Sequence, residues 1–112
     1  MVELRRFSRV PLDISIEFSI DGRSERYTGR AQDISVGGMF IEVDHVPAFN
    51  AAVVIYATLP PEKAAFKLPG VVRWVGDGGM GVQFGLLGAR ETHRITELLL
   101  AAVAVVRKKE AP

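Results

Sequence analysis

Residues 14–20 alternate apolar and polar side chains one by one: isoleucine or phenylalanine at the even positions, serine or glutamate between them. A period of two places the apolar side chains on one face of an extended strand, which is typical of a half-buried β-strand and argues against a helix. Asp21-Gly22 follows directly, and this dipeptide favours a tight hairpin turn. The N-terminal part of the chain is therefore predicted to be antiparallel β-structure.

Alternation returns at residues 39–43. The hairpin turn, the apolar runs and the turn residues between them predict further strands at about residues 23–32, 53–59, 67–75 and 81–86. Helical spacing appears only near the C-terminus, where apolar residues between 95 and 106 fall on one broad face of a helix from about Thr92. This order predicts a mainly β fold: a small antiparallel six-stranded β-barrel with a C-terminal α-helix.

Composition fits one compact domain. The chain has 112 residues, of which 48% are hydrophobic, enough for a single core. It has no cysteine, which excludes disulfides, thiolate metal sites and a cysteine nucleophile. We expect no signal peptide, because residues 1–11 are arginine-rich without an apolar stretch. We also expect no membrane span, because the longest apolar run, residues 98–106, is shorter than the roughly 20 residues required.

Basic charge is concentrated at the two ends of the chain. Residues 1–10 and 107–112 each carry a net charge of +2, whereas the 96 residues between them carry −3. A nucleic-acid-binding barrel needs a continuous basic face with exposed aromatic residues, so the acidic middle disfavours that class. The distribution suits a small anion captured by an N-terminal arm. We therefore divide the single domain into a flexible ligand-binding arm, residues 1–12, and a barrel with its helix, residues 13–112.

Two short motifs carry the chemistry expected of a ligand site. The first, Arg5-Arg6-Phe7-Ser8-Arg9, supplies guanidinium groups that bind phosphate and stack on flat bases. The second, Asp33-x-Ser35-x-x-Gly38, supplies a carboxylate that can accept from the N–H edge of guanine, a hydroxyl, and a glycine that permits close backbone approach. Together they offer what a guanine nucleotide with several phosphates requires.

These two motifs, in this order and on this strand pattern, resemble the PilZ domain family, the bacterial receptor modules for cyclic di-GMP. The resemblance extends over almost the whole chain and includes the family's terminal helix. It implies a ligand site for cyclic di-GMP formed by Arg5, Arg6, Arg9, Asp33, Ser35, Gly37 and Gly38. Trp74 and Gly81 are secondary candidates, because in the family an aromatic residue in this neighbourhood can lie against a guanine.

The resemblance also implies how such a protein acts. We expect a non-enzymatic receptor in the bacterial cytoplasm that changes conformation on binding and signals to an unidentified effector protein in motility, biofilm formation or a related response. Family members that lack the ligand motifs act as protein-interaction adaptors independent of cyclic di-GMP, and this is the alternative. Leu4 occupies a position at which a further arginine would add a phosphate-binding guanidinium. Whether one or two ligand molecules bind is therefore open. The sequence also leaves open whether the protein is a monomer or a dimer.

Some of the same residues can also be explained by a role in the fold rather than in ligand binding. Asp33 and Ser35 can form an Asx-type turn in which Gly37 and Gly38 supply positive φ or a bulge, a role compatible with ligand binding. Trp74 lies in an apolar strand, so core packing is its first expected role.

Three other patterns do not support a different function. Residues 76–81 match the Gly-x-Gly-x-x-Gly dinucleotide fingerprint, but a strand rather than a helix follows, so we predict a hairpin. His45 and His93 are far apart and lack metal-ligand spacing, so no metal site is expected. No nucleophile–base or paired-carboxylate arrangement is recognisable, so we expect no catalysis and no cofactor.

Overall fold

Six strands and one helix form the structure, a computed structural model that describes residues 10–59 and 65–110, with helix side chains described as far as residue 100. The elements are β1 (Val10–Ile20), β2 (Arg26–Ile34), β3 (Gly38–Val43), β4 (Ala52–Thr58), β5 (Ala65–Gly76), β6 (Gly79–Phe84) and α1 (Ala89–Glu110). The predicted mainly β fold with a C-terminal helix is confirmed.

Element boundaries differ from the sequence prediction by a few residues. β1 begins at Val10, so residues 10–12, which we assigned to the arm, form the start of this strand. The other nine residues of the predicted arm lie outside the described residues. β2 continues to Ile34, beyond the predicted end at Gln32, because Asp33 and Ile34 remain paired with β3. The helix begins at Ala89, three residues before the expected start at Thr92.

The strands close into an antiparallel barrel in the order β1-β2-β3-β6-β5-β4, with β1 also paired to β4. Most pairs join strands that are consecutive in the chain. The pairs β3–β6 and β1–β4 are different, because each joins strands that are separated by two others. Closure pairs both sides of every strand and thereby removes the exposed sheet edge that could recruit other chains.

Along each strand, side chains that face inward alternate with side chains that face outward, and the inward-facing ones form the core. Fully buried side chains come from every strand and include Phe18, Ile34, Met39, Ile41, Ile55, Leu68, Val72 and Met80. Burial of one side chain of this size contributes about 1.5–3 kcal/mol. α1 adds Ile95, which is 1% exposed, and the guanidinium of Arg90 lies 4.2 Å from the ring centroid of Phe66. The helix therefore packs against the barrel near the start of β5.

Register shifts interrupt the alternation and determine which residues face outward. In β2 the shift lies between Ala31 and Asp33, which makes Gln32 the additional residue of a β-bulge. In β5 it lies between Val72 and Trp74, which makes Arg73 the additional residue. After each bulge the strand continues with its inside and outside positions exchanged. Asp33 and Trp74 therefore point away from the core.

Candidate functional site

Four residues on four neighbouring strands form one outward-facing row. Asp33 pairs with Phe40, Phe40 with Gly81, and Gly81 with Trp74. Their neighbours Ile34, Met39, Ile41 and Val82 are buried, so the members of the row lie on the opposite, outer face of the barrel. The ladder thus brings the predicted residues Asp33, Trp74 and Gly81 together.

The short loop between β2 and β3 places Ser35 beside this row. Ser35 is 5% exposed, its backbone N–H donates to the carbonyl of Gly38 at 2.8 Å, and its hydroxyl lies 3.4 Å from the same carbonyl. The N–H of Phe84 on β6 donates to the carbonyl of Gly37 at 2.8 Å. Ser35 therefore closes the loop, which is the structural role expected from sequence, and β6 fixes the position of that loop.

The fold requires glycine at position 38 but not at position 37. A Cβ at Gly38 would overlap the carbonyl oxygen of Val82, so glycine is needed for β3 to approach β6. A Cβ at Gly37 would meet nothing within 4 Å. Neither residue has a positive φ, so that part of the expectation was wrong. The fold explains the glycine at position 38 but leaves Gly37 available for close approach by a ligand.

Trp74 is not a core residue: 47% of its surface is exposed. The expectation of core packing was wrong because the bulge at Arg73 moves the next position to the outer face. The indole packs against Phe40, with ring centroids 5.6 Å apart and planes inclined by 55°. Cβ atoms added at Gly76 and Gly81 would come within 3.2 and 3.3 Å of Trp74 atoms, so these glycines make room for it.

The glycine-rich segment has the predicted hairpin conformation. β5 and β6 pair through a turn at Asp77 and Gly78, whose φ values are 51° and 76°. Positive φ at both central residues is typical of the tight type I′ turn between antiparallel strands. The dinucleotide-fingerprint spacing thus reflects a turn and the space required by Trp74.

Two adjoining recesses on this outer surface share Trp74 and Gly81. One, which we call the Ser35 recess, has a volume of 390 Å³ and is lined by Ser35, Gly37, Gly38, Arg73, Trp74, Gly81, Val82 and Gln83. The other, the Asp33 recess, has a volume of 430 Å³ and is lined by Asp33, Phe40, Trp74, Asp77 and Gly81. Together they form a cleft, with hydroxyl, amide and guanidinium groups on one side of the indole and carboxylates on the other.

The predicted site residues therefore fall into two groups. The structure brings Asp33, Ser35, Gly37, Gly38, Trp74 and Gly81 together in the cleft. The predicted cations Arg5, Arg6 and Arg9 lie outside the described residues. The described chain nevertheless starts at the cleft, because Val10 pairs with Ile34 and Pro11 pairs with Asp33.

Sequence reasoning missed five residues that line the cleft, namely Phe40, Arg73, Asp77, Val82 and Gln83. A signal was present for one of them. Arg73 and Trp74 follow two valines in an apolar strand, and a charged residue at that point breaks the apolar run. A bulge places two successive residues on the outer face of a strand, so a charged residue within an apolar run is typical of a bulge. For the other four the proximity depends on the β3–β6 and β5–β6 pairings.

A family model described as the PilZ domain matches residues 3–101. The chain belongs to the PilZ domain family. The matched segment contains both sequence motifs and all six strands of this PilZ domain. The family resemblance on which the site residues were chosen is therefore confirmed.

Solved structures with the same fold include proteins of different length. The PilZ domain of CeSA from a cellulose-synthesizing bacterium is 21% identical with a TM-score of 0.66, and the match covers 84% of this chain and 96% of that one. The Bacillus subtilis inhibitor of motility, MotI/DgrA, is 15% identical with a TM-score of 0.70, over 92% and 51%. MrkH of K. pneumonia in complex with c-di-GMP is 19% identical with a TM-score of 0.65, over 91% and 52%.

The TM-scores of these matches establish a shared fold. This PilZ domain spans about half the length of MotI and MrkH. No curated protein matches it significantly in sequence.

In the described part of the chain, no helix has an apolar stretch of the length required to span a membrane. Over the same residues, no group of three or more histidine, aspartate or glutamate side chains is arranged to hold a metal ion.

Proposed function

We propose that this PilZ domain is a non-enzymatic bacterial receptor for cyclic di-GMP. Asp33 accepts from the N1–H and N2–H₂ edge of a guanine, Ser35 contributes its hydroxyl, and Gly37 allows the ligand to approach the backbone. Trp74 offers an exposed ring face to a base. Arg5, Arg6 and Arg9 bind the phosphates as bidentate guanidinium forks.

One observation carries the proposal: the β1–β2 register joins the N-terminal arm to the cleft. Pro11 pairs with Asp33, and Val10 pairs with Ile34. Arg9 is bonded to Val10, and consecutive Cα atoms are about 3.8 Å apart. Arg5 is only four residues further along the chain, at no more than about 3.6 Å per residue. This closeness along the chain supports a site that both motifs share.

The cleft itself supports a flat, anionic ligand. Its two recesses together exceed what a single base occupies, and Trp74 stands between them. Pockets for small ligands commonly combine an aromatic surface with a few polar groups that fix orientation, as this one does. The structural similarity to MrkH in complex with c-di-GMP adds support from the same fold.

We further propose that ligand binding orders residues 1–9 against the barrel and that this change is read by an effector protein in the cytoplasm. Motility or biofilm formation is the proposed process, in keeping with MotI as an inhibitor of motility and CeSA as a protein of a cellulose-synthesizing bacterium. Because the barrel is closed by strand pairing, we take the segment that precedes Val10 as the output element.

Isothermal titration calorimetry with cyclic di-GMP tests the proposal directly. We expect saturable binding by the intact chain and a large loss of affinity in Asp33→Ala. Asp44→Ala, which removes an exposed carboxylate outside the cleft, is the matched control and should bind as the unmodified protein does. Absence of binding by the intact, folded chain would exclude the receptor function and favour the adaptor alternative.

A further inference from the structure

Arg73 is the bulge residue of β5 and lies on the outer face beside Trp74. Val72 is fully buried and pairs with Val82, whereas Trp74 pairs with Gly81, so Arg73 is the additional residue between them. Its side chain lines the Ser35 recess together with Ser35, Gly37, Gly38 and Gln83. Neither sequence motif includes this arginine.

Two neutral amides hold the guanidinium of Arg73. Its Nε donates to Oε1 of Gln83 at 3.0 Å, and its Nη1 donates to Oδ1 of Asn50 at 2.6 Å. Asn50 is itself fixed: its φ is 73°, and its N–H donates to the carbonyl of Val72 at 2.8 Å. A guanidinium has five N–H donors, so donors remain for another acceptor.

The charge of Arg73 is not matched by a carboxylate. Four other arginines lie within 4 Å of a carboxylate oxygen: Arg26, Arg30, Arg90 and Arg94. Over the described residues Arg73 has no such partner, and its two bonded acceptors are neutral. Amide oxygens orient a guanidinium without cancelling its charge, which is an arrangement suited to binding an anion.

We propose that Arg73 binds a phosphate of the nucleotide in the Ser35 recess and that Asn50 and Gln83 position its guanidinium for this contact. The inference rests on the proposed function, because it takes cyclic di-GMP as the ligand. It assigns the two recesses different chemistry: Asp33 and Asp77 line only one, and Arg73 lines only the other. A cyclic dinucleotide carries its bases and its ring phosphates as separate groups, so a base can occupy one recess while a phosphate contacts the other.

Calorimetric titration of cyclic di-GMP at several salt concentrations tests the role of Arg73. Arg73→Gln keeps much of the side-chain length without the charge, and we expect an affinity loss of about tenfold or more. Its affinity should also depend less on salt, because one phosphate contact is missing. Arg73→Lys should restore part of the affinity as a point charge without the fork. The matched control is Arg26→Gln, in a separate recess against Glu17 and Tyr56, and it should bind unchanged.

Variants of the two amides distinguish charge from packing. Gln83→Glu places a carboxylate at the 3.0 Å contact with Nε, so it should neutralise Arg73 and weaken binding without lowering the melting temperature. In the Arg73→Gln background, Gln83→Glu should weaken binding less than it does in the unmodified protein, because no guanidinium remains to be neutralised. If the new carboxylate instead repelled the ligand directly, the affinity losses of the two substitutions would be additive. Asn50→Gly suits the positive φ and removes the amide. It should weaken binding less than Arg73→Gln while the salt dependence stays as in the unmodified protein.

The outcomes separate the two proposals. If the unmodified chain does not bind cyclic di-GMP, the receptor function fails and the role of Arg73 fails with it. If the unmodified chain binds and Arg73→Gln binds equally well with the same salt dependence, only the role of Arg73 is overturned.

Discussion

Asp33 on β2 and Trp74 on β5 each follow a bulge residue, and the two lie in the same row of the barrel with Phe40 and Gly81 paired between them. Neither side chain would face the outer surface if its strand alternated regularly from the preceding buried residue. Two local irregularities therefore create a carboxylate and an indole on one surface. The proposed ligand cleft depends on both.

Base selectivity should follow from Asp33. Guanine presents two adjacent N–H donors to a carboxylate, whereas adenine lacks that pair, and an unpaired buried polar group costs about 1–3 kcal/mol. We expect cyclic di-GMP to bind at least about tenfold more tightly than cyclic di-AMP in calorimetric titrations. Asp33→Ala should reduce that preference. Equal affinity of the unmodified protein for the two nucleotides would refute the role assigned to this carboxylate.

The N-terminal arginines should contribute more to binding than the basic C-terminal tail. A hydrogen bond to a charged group contributes roughly 1.5–3 kcal/mol, whereas a distant exposed charge is largely screened. Arg5→Ala and Arg9→Ala should therefore weaken cyclic di-GMP binding by about tenfold or more. Arg107→Ala, which removes the same charge from the opposite end of the chain, is the control. A comparable loss in this control, with the fold intact, would mean that the site is elsewhere.

Deletion of residues 1–9 should separate folding from ligand response. β1 begins at Val10 and the described core extends from Ile16 to Ile95, so the truncated chain retains that core. At a ligand concentration of 100 times Kd, binding stabilises the intact protein by about 2.7 kcal/mol, which raises Tm by roughly 10 °C. The truncated protein should melt cooperatively without this shift. An Arg5, Arg6 and Arg9 triple alanine variant tests the charges alone.

Gly37 and Gly38 form a matched pair of substitutions in one loop. Gly38→Ala would force β3 and β6 apart at the carbonyl of Val82, and we expect it to lower the free energy of unfolding by about 1–3 kcal/mol. Gly37→Ala meets no protein atom and should change that free energy by less than about 0.5 kcal/mol. It should nevertheless weaken cyclic di-GMP binding. Urea denaturation combined with titration measures both quantities, and normal binding by Gly37→Ala would contradict the proposed close approach.

Trp74 should report ligand binding through its fluorescence. It is the only tryptophan in the chain, is 47% exposed, and lines both recesses. Occupation of the cleft should reduce its exposure to water, so emission should shift to shorter wavelength and change in intensity as cyclic di-GMP is added. The control is Asp33→Ala, which retains the indole and should need a higher ligand concentration to reach the same change. No change in the unmodified protein at saturation would place the ligand away from Trp74.

The alternation of residues 14–20 and the Asp21-Gly22 turn were sufficient to predict β-structure, because a two-residue period places apolar side chains on one face regardless of what lies opposite. Apolar runs and turn residues added the other strands, and helical spacing added the terminal helix. The residues of Asp33-x-Ser35-x-x-Gly38 were recognised from their chemistry together with the resemblance to the PilZ family, and the structure brings them to one cleft with Gly81 and Trp74. That these residues bind ligand stays a prediction.

The tertiary structure alone decided which face Trp74 occupies and which residues surround it. A bulge adds one residue to a strand; the charged residue after two valines was a local sign of it, but its position is fixed by the register with the partner strand. The expectation of a buried Trp74 failed for this reason, and Arg73 was overlooked as a component of the cleft. The β3–β6 pairing, which brings Gly38 against Val82, joins strands separated by two others, so no local pattern encodes it. Sequence determined the strands and the chemistry available, whereas barrel closure determined which of those groups meet.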